Sequence, residues 1–282
     1  MWTEKAQAKI NLTLDVLHKR SDGYHEVEMV MQTVDLSDHL TFYPLAEDEI
    51  QLSCTVPYIP LDSRNLVYQA AKLVKETFGI ASGIRIHIDK RIPVAAGLAG
   101  GSSDAAATLR GLNRVFQLGQ SLDQLAELGA KIGSDVPFCI YGGTALARGR
   151  GELIEHLPKV APTWVVLVKP PIAVSTADVY GRLKVAEIER HPSAMAMVEA
   201  LATGEVRLIA DHLGNVLESV TFSMYPEVER LKGQLLKFGA VGALMSGSGP
   251  TVFALVDREH KANRIYNALR GFSREVYLCR FY

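Results

Sequence analysis

The clearest pattern along the chain is an alternation of apolar and polar residues near its amino terminus. Apolar side chains occupy every second position from Ala8 to Val16, and polar residues, including Lys9 and Asn11, lie between them. A period of two predicts a strand with one buried face. Lys9 and Asn11 therefore project from the same side of this strand.

Similar patterns predict further elements in the first half of the chain. Alternating segments predict strands at residues 26–34, 40–43, 50–54 and 84–88. Apolar residues at helical spacing predict a helix from Leu66 to Phe78, which Gly79 ends. A second helix follows Ser121, for which Gln124 completes a capping box.

The middle of the chain contains the candidate domain boundary. Residues 134–137 cannot continue the preceding helix, and residues 138–147 are predicted to form a strand with a break at two glycines. Gly, Arg and Pro punctuate the segment from 148 to 162, within which we place the boundary near Leu157. The sequence thus predicts one domain at residues 1–157 and another at residues 158–282.

The second half predicts an antiparallel sheet with helices on one face. A helix begins with Pro226 and stops before Gly239, and another is expected near residues 259–269. The predicted strands cover residues 163–169, 241–245, 252–256 and 276–281. This order indicates an α+β sandwich, preceded by a mixed α/β amino-terminal domain.

Composition narrows the class of protein. The 282 residues carry 30 Lys and Arg against 31 Asp and Glu, so there is no extended positive field for a nucleic acid. No apolar run reaches the roughly 18 to 20 residues of a membrane span, and charges near the amino terminus argue against a signal peptide. Three separated cysteines and scattered histidines form no disulfide or zinc pattern. We therefore expect a cytoplasmic globular protein.

A glycine-rich segment, called here the glycine loop, supplies the strongest chemical signal. It leads from a strand into an alanine-rich helix and consists of Pro93, Val94, Ala95, Ala96, Gly97, Leu98, Ala99, Gly100, Gly101, Ser102 and Ser103. Small residues let backbone N–H groups converge, and a helix amino end adds partial positive charge, so the loop predicts a phosphate site. The two serines suit helix capping, phosphate contact or the positioning of a magnesium ion. A flexible loop before a capped helix is the alternative.

Asp104 follows the glycine loop and complicates this interpretation. Its carboxylate would repel a phosphate unless a cation or a lysine lies between them, and it also suits a capping role. The chain has no GxxxxGK[ST] motif and no GxGxxG after a strand. Walker-type NTPases and dinucleotide-dependent oxidoreductases therefore lose their main support.

Five segments together resemble the GHMP kinases, named for galactokinase, homoserine kinase, mevalonate kinase and phosphomevalonate kinase. The glycine loop is similar to the second motif of that superfamily, and Ser-Gly-Ser-Gly-Pro-Thr at residues 246–251 is similar to the third. AKINL at 8–12, DGYH at 22–25 and IGSDVPF at 132–138 resemble the branch that acts on a cytidine diphosphate-linked methylerythritol. The five segments keep the family order and extend over almost the whole chain.

The resemblance implies a two-domain GHMP-kinase fold and a specific reaction. The γ-phosphoryl group of ATP, used with Mg²⁺, would pass to the 2-hydroxyl of that cytidyl substrate in the non-mevalonate isoprenoid pathway. The implied ATP-binding residues are the glycine loop together with Asn65 and Leu66. No motif matches the acidic magnesium ligand of some members, so the metal ligands are unknown.

The resemblance also implies which residues act on the substrate. Lys9 and Asp135 would be the catalytic pair, with Asp135 accepting the hydroxyl proton while Lys9 fixes Asp135 and offsets charge. The implied substrate-binding residues are Asn11, Tyr24, His25, Thr176, Tyr180, Gly247 and Ser248. Tyr24 and His25 would bind cytosine, and His25 would act through its side chain or its backbone.

Plainer interpretations of the same residues exist. Lys9 would be a solvated lysine, Asp135 a cap, and Tyr24 and His25 an ordinary turn. The other glycine-rich segment, residues 246–250 and called here the second glycine motif, would be a hairpin connection. Competing functions are an ATP-dependent diphosphomevalonate decarboxylase and a nucleotide-binding protein without turnover. Mevalonate derivatives carry no base for DGYH to bind, and a binding protein has no need of both catalytic residues. The expected partners are small molecules, and the expected state is a monomer or weak homodimer.

Overall fold

Strands and helices are interspersed along the whole chain in the computed structural model, which describes Met1–Tyr282. The strands are β1 (Trp2–Lys19), β2 (His25–Leu45), β3 (Ile50–Cys54), β4 (Gly83–Asp89), β5 (Thr144–Arg148), β6 (Leu153–His156), β7 (Trp164–Lys169), β8 (Gly214–Asn215), β9 (Gly242–Met245), β10 (Val252–Val256) and β11 (Glu275–Arg280). The helices are α1 (Leu66–Phe78), α2 (Gly100–Val115), α3 (Leu122–Ala130), α4 (Val136–Tyr141), α5 (Thr176–Arg182), α6 (Ala194–Thr203), α7 (Val206–Asp211), α8 (Glu218–Met224), α9 (Pro226–Lys237) and α10 (Glu259–Arg270). None of these helices combines the length and apolar character that a membrane span needs.

The first two strands are longer and more buried than the sequence predicts. β1 has 18 residues and β2 has 21, so β2 joins two segments that were predicted as separate strands. The polar residues between them include Asp38, which is fully buried and accepts hydrogen bonds from the backbone N–H groups of Arg91 and Ile92. In β1 the expected solvated face is also buried, because Lys9 and Asn11 are only 4% and 0% exposed.

Residues 138–147 correct the sequence prediction in the middle of the chain. The predicted strand is wrong in its first half, because Val136–Tyr141 forms α4 and β5 begins only at Thr144. Pro137 lies in the first turn of α4, where the missing N–H removes no helical hydrogen bond. The apolar run itself is too short to separate a helical period from a strand period.

Capping residues place other helix ends as the sequence predicts. The Asn65 side chain accepts a hydrogen bond from Val67 at the start of α1, and Gly79 ends that helix with a φ of 63°. Both hydrogen bonds of the Ser121 capping box are present at α3. α9 begins with Pro226, as predicted. Local side-chain chemistry therefore determines these ends.

Internal contacts divide the chain into two units, each built from separate stretches. The first unit contains residues 1–8, 36–94 and 99–142, and the second contains residues 9–35, 95–98 and 143–282. The predicted boundary near Leu157 stays a prediction.

The first unit packs helices against strands that pair within it. β3 runs parallel to β4, and β4 runs antiparallel to the second half of β2. α1 and α2 pack against each other, and α2 also packs against α4. Gly111 of α2 allows this core to close, because a Cβ there would lie 2.5 Å from the ring of Phe42.

The second unit contains an antiparallel sheet in the order β11-β7-β10-β9. α9 and α10 pack on this sheet, which confirms the predicted α+β arrangement. The central strand β10 is buried at all five positions, so both of its faces are covered. β5 pairs with β2 and β6, and the two-residue β8 pairs with β1.

Candidate active site

The buried polar face of β1 supplies the first part of the candidate site. The Nζ of Lys9 donates a hydrogen bond of 2.8 Å to the Oδ1 of Asn11, and the Nδ2 of Asn11 lies 3.1 Å from the Sδ of Met29. A buried ammonium requires partners because it has lost its hydration. The structure therefore excludes a merely solvated Lys9 and shows Asn11 holding it in place.

Residues 95–98 of the glycine loop lie against the strand that carries Lys9. The backbone N–H of Lys9 donates to the carbonyl of Leu98 at 3.1 Å. Gly97 has a φ of 73°, and a Cβ at this position would lie 2.2 Å from the carbonyl oxygen of Ser246. Only glycine fits this close approach of two backbones.

The second glycine motif, residues 246–250, meets the glycine loop within the second unit. The Ser246 hydroxyl donates to the Gly97 carbonyl at 2.9 Å. The Cβ position of Gly247 lies 3.2 Å from the Gly97 carbonyl oxygen and 3.6 Å from the Oδ1 of Asn11. The structure thus brings Lys9, Asn11, Gly97 and Gly247 together, so this motif is more than a hairpin connection.

Asn215 supports the second glycine motif, and the sequence analysis missed it. Its Nδ2 donates to the carbonyls of Met245 and Gly247 at 2.8 Å each, while its Oδ1 accepts from Leu217 at 3.0 Å. A single asparagine without a motif gives no sequence signal for this role. The hydroxyls of Thr176 and Ser248 lie 2.8 Å apart, which joins two predicted substrate residues.

The amino end of α2, in the first unit, has a geometry that suits an anion. The N-cap residue Ala99 has a φ of 55°, and no side chain caps the helix there. The Ser103 hydroxyl donates instead to the Gln7 carbonyl at 2.6 Å, and both serines lie inside the helix, which corrects the predicted capping role. Uncapped N–H groups and the helix dipole suit a phosphate.

Ala95 and Ala99 adopt a backbone conformation that residues with a Cβ rarely populate. Their φ angles are 51° and 55°, in the left-handed region. Strained backbone of this kind persists only where the surrounding structure over-determines it, and it clusters at functional sites. The contacts of residues 95–98 with β1 and with Ser246 supply such surroundings.

Lys90 places a positive charge beside Asp104, whose carboxylate alone would repel a phosphate. Its Nζ lies 2.6 Å from the Oδ2 of Asp104 and 2.5 Å from the Oδ2 of Asp38. The same Nζ lies 3.1 Å from the Cβ position of Gly100, at the start of α2. A lysine therefore lies beside the carboxylate, as the phosphate interpretation requires.

Two carboxylates share this one buried ammonium. Burial raises the pKa of Asp104 to about 8, with the negative charge of Asp38 adding to the shift and Lys90 opposing it. Burial lowers the pKa of Lys90, but Asp104 and Asp38 outweigh burial, so that the net shift is upward. The short ion pair alone would favour an ionised Asp104. We favour the raised pKa because Asp38 has the backbone donors, whereas the Oδ1 of Asp104 has no hydrogen-bond partner.

Asn65 and Leu66, the predicted adenine residues, lie at the start of α1. The Asn65 side chain caps the helix through Oδ1 and donates from Nδ2 to the Pro60 carbonyl at 2.7 Å. The Cδ1 of Leu66 lies 3.6 Å from the Cβ position of Gly101 in the glycine loop. The structure therefore brings Leu66 beside the loop, and the adenine contact itself stays a prediction.

Three aromatic side chains, called here the aromatic cluster, lie at or next to the DGYH segment: Tyr24, His25 and Tyr180. The rings of His25 and Tyr180 lie 5.3 Å apart, and Tyr24 is 55% exposed. Burial lowers the pKa of His25, and the charge of Lys19 adds to this, so the imidazole is neutral at neutral pH. A neutral imidazole has one donor and one acceptor nitrogen, which suits the polar edge of a base.

Asp135 occupies the N-cap position of α4 in the first unit, but its side chain makes no capping hydrogen bond. The capping alternative therefore loses its support. Its pairing with Lys9 stays a prediction. No group of three or more His, Cys, Asp and Glu side chains is arranged to hold a metal ion.

Comparisons with known proteins agree with the motif order. Residues 65–143 match the family model of the GHMP kinases N terminal domain, and residues 197–274 match that of the GHMP kinases C terminal region. The 4-diphosphocytidyl-2-C-methyl-D-erythritol kinase of Brevibacillus brevis is 60% identical over 276 residues, which cover 98% of this chain and 94% of the relative. The relative of that name from Bacillus cereus is also 60% identical, over 98% of this chain and 95% of its own.

A solved structure shows the same relationship in three dimensions. The crystal structure of a 4-(cytidine 5'-diphospho)-2C-methyl-D-erythritol kinase superposes with a TM-score of 0.85 at 35% identity. The superposition covers 99% of this chain and 98% of the chain in the crystal structure. The predicted two-domain GHMP-kinase fold is therefore confirmed. The chain belongs to the GHMP kinase family, and within it to the 4-diphosphocytidyl-2-C-methyl-D-erythritol kinases.

Proposed function

We infer that the chain is an ATP-dependent kinase that phosphorylates the 2-hydroxyl of 4-diphosphocytidyl-2-C-methyl-D-erythritol. The observation that carries this inference is the 60% identity, across 98% of the chain, with kinases named for that substrate. Such kinases supply a phosphorylated intermediate to the non-mevalonate isoprenoid pathway. The site geometry supports the inference at three places.

The catalytic residues suit phosphoryl transfer, which depends on positioning and charge stabilisation more than on a strong base. In this proposal Asp135 orients the substrate hydroxyl and accepts its proton. Lys9 offsets negative charge that develops on the oxygen or on the γ-phosphate. Asn11 fixes the Lys9 ammonium through a hydrogen bond of 2.8 Å, and its predicted contact with the polyol stays a prediction.

The glycine loop is proposed to hold the triphosphate of ATP. Support comes from the uncapped amino end of α2 and from Lys90, whose ammonium lies next to the start of that helix. When bound, Mg²⁺ would neutralise phosphate charge, and it commonly takes its ligands from phosphates and water. We assign no protein ligand to this ion.

The aromatic cluster is proposed to bind cytosine. Tyr24 offers an exposed ring face for stacking, and neutral His25 offers a donor and an acceptor to the base edge. Tyr180 contacts His25 and supplies a further aromatic surface. We propose that the enzyme works in the cytoplasm on these two small molecules, as a monomer or weak homodimer.

The test is ADP release by purified protein given ATP and one acceptor at a time. We expect ADP release with the cytidyl substrate and none with homoserine, mevalonate or diphosphomevalonate. Carbon dioxide release from diphosphomevalonate would instead identify a decarboxylase. ATP binding without ADP release in the presence of any of these acceptors would identify a binding protein. Either result would refute the proposed function.

A further inference from the structure

An arginine in the turn between β5 and β6 lies over a predicted base-binding residue. The guanidinium carbon of Arg150 is 5.0 Å from the centre of the Tyr24 ring. This distance is within the range of a cation–π contact. Because Tyr24 is 55% exposed, the contact leaves much of the ring open to a ligand.

The turn that carries Arg150 is fixed to the start of β2, close to Tyr24 in the sequence. The backbone N–H of Val27 donates to the Gly149 carbonyl at 2.8 Å. The backbone N–H of Gly149 donates to the Oε1 of Glu26 at 3.1 Å. These two bonds hold the turn and the DGYH segment together.

The guanidinium itself is held by Glu152. The Oε2 of Glu152 accepts from the backbone N–H of Arg150 at 2.6 Å, and the Oε1 lies 3.6 Å from the Nε of Arg150. The Arg150 side chain is 32% exposed, so a large part of it is packed. A charge held in this way stays over the ring.

The backbone of Tyr24 is fixed by a different set of contacts. Its N–H donates to the Oδ1 of Asp22 at 3.1 Å, and Asp22 also accepts from the Nε of Arg20 at 3.1 Å. These contacts fix the main chain but leave the direction of the phenol ring open. Arg150 is the group that contacts the ring face.

We propose that Arg150 is a positioning residue for the pyrimidine base. Its guanidinium covers one face of Tyr24 and orients the ring so that the opposite face stacks on the base. The inference rests on the proposed function, because it presupposes that Tyr24 binds cytosine. A planar guanidinium suits a ring face better than the compact ammonium of lysine.

The experiment measures binding of cytidine 5'-diphosphate by calorimetry, with ribose 5-diphosphate as the probe without a base. We expect Arg150→Met to weaken cytidine diphosphate binding by about five- to tenfold, on the scale of a cation–π contact, and to leave ribose diphosphate binding unchanged. Arg150→Lys should give an intermediate loss. The KM for the cytidyl substrate should rise in parallel, while kcat and the KM for ATP stay the same.

Arg148→Met is the matched control, because Arg148 lies at the start of the same turn but pairs with Glu28 and Glu155. It should bind both probes as the wild type does. Equal weakening of both probes by Arg150→Met would overturn the positioning role, since it would place Arg150 on the diphosphate.

Tyr24→Ala separates this inference from the proposed function. If Tyr24→Ala loses cytidine diphosphate binding while Arg150→Met binds as tightly as the wild type or tighter, the inference fails and the function stands. If the wild type itself does not bind cytidine diphosphate, the proposed function fails and takes the inference with it.

Discussion

Lys9 and Asn11 show how single residues mark this site. They lie on a strand that is buried on both faces, where a polar side chain is tolerated only with partners. The alternating pattern predicted the strand but not the burial, because a buried polar face and a solvated one look identical in sequence. The AKINL motif carried the functional prediction for Lys9, and the structure adds the hydrogen bond that orients it.

Replacing Asp135 by Asn tests whether this single residue accepts the proton of the substrate hydroxyl. We expect kcat to fall by more than tenfold, equivalent to about 1.4 kcal/mol, because the group that accepts the proton is lost. The melting temperature is measured beside kcat, so that a loss of fold is distinguished from the loss of the proton acceptor. Steady-state kinetics and thermal unfolding measure the two quantities.

Asp123→Asn is the control for Asp135→Asn, because it removes a carboxylate from the same unit. Asp123 accepts a hydrogen bond from the Tyr141 hydroxyl at 2.7 Å and is exposed. Its kcat should equal that of the wild type. A kcat for Asp135→Asn within tenfold of the wild type would show that the carboxylate is not the proton acceptor.

Gly97→Ala tests the contact between the two glycine motifs. A Cβ at this position would lie 2.2 Å from the Ser246 carbonyl, and the φ of 73° is strained for alanine. We expect the KM for ATP to rise and kcat to fall, by at least tenfold in kcat/KM, because the loop must shift. Gly233→Ala in α9 is the control, since its added methyl meets nothing within 4 Å. Wild-type kcat/KM in Gly97→Ala would contradict the proposed loop geometry.

Among the helices and strands, the sequence predicted where an element begins or ends better than whether that element is a helix or a strand. Gly79 ends α1 and Pro226 opens α9, as predicted, because such signals act locally through the backbone of one residue. The strand predicted over 138–147 was half wrong, because an apolar run of six residues is compatible with either period. Residues 170–225 received no predicted elements, since their helices have only 6 to 10 residues and show less than three turns.

The cluster of Lys90, Asp38 and Asp104 gives a prediction at the scale of α2. Asp104 has a folded-state pKa of about 8, above its ordinary value, so its contribution to stability is present at acid pH. That contribution is lost as the pH rises through about 8. Asp104→Asn keeps the shape and does not titrate. The free energy of unfolding of Asp104→Asn, minus that of the wild type, should therefore increase from about pH 5 to about pH 8.

Urea unfolding at several pH values measures this difference. Asp38→Asn is the comparison, because it removes the acceptor for two backbone N–H groups and for Lys90. It should destabilise the protein at every pH by more than Asp104→Asn does. Parallel stability profiles for wild type and Asp104→Asn would show that the folded-state pKa of Asp104 is not raised.

For the whole molecule, the sequence predicted the fold class and the reaction more fully than the internal organisation. Motif order indicated the family, and the comparisons confirm it. The compact units are assembled from separate stretches, and β1, β2 and the glycine loop each contribute to both. Composition along the chain cannot reveal such an arrangement. Asn215 likewise gives no local signal, because its role depends on residues about thirty positions away.

Phosphorus NMR of the reaction mixture tests the central claim most directly. Wild-type protein, ATP and the cytidyl substrate should yield one new phosphomonoester, coupled to the methyl-bearing C2 carbon, for each ADP formed. Inorganic phosphate in place of that signal, or a phosphomonoester on another hydroxyl, would contradict the claim that this chain transfers the γ-phosphoryl group to the 2-hydroxyl.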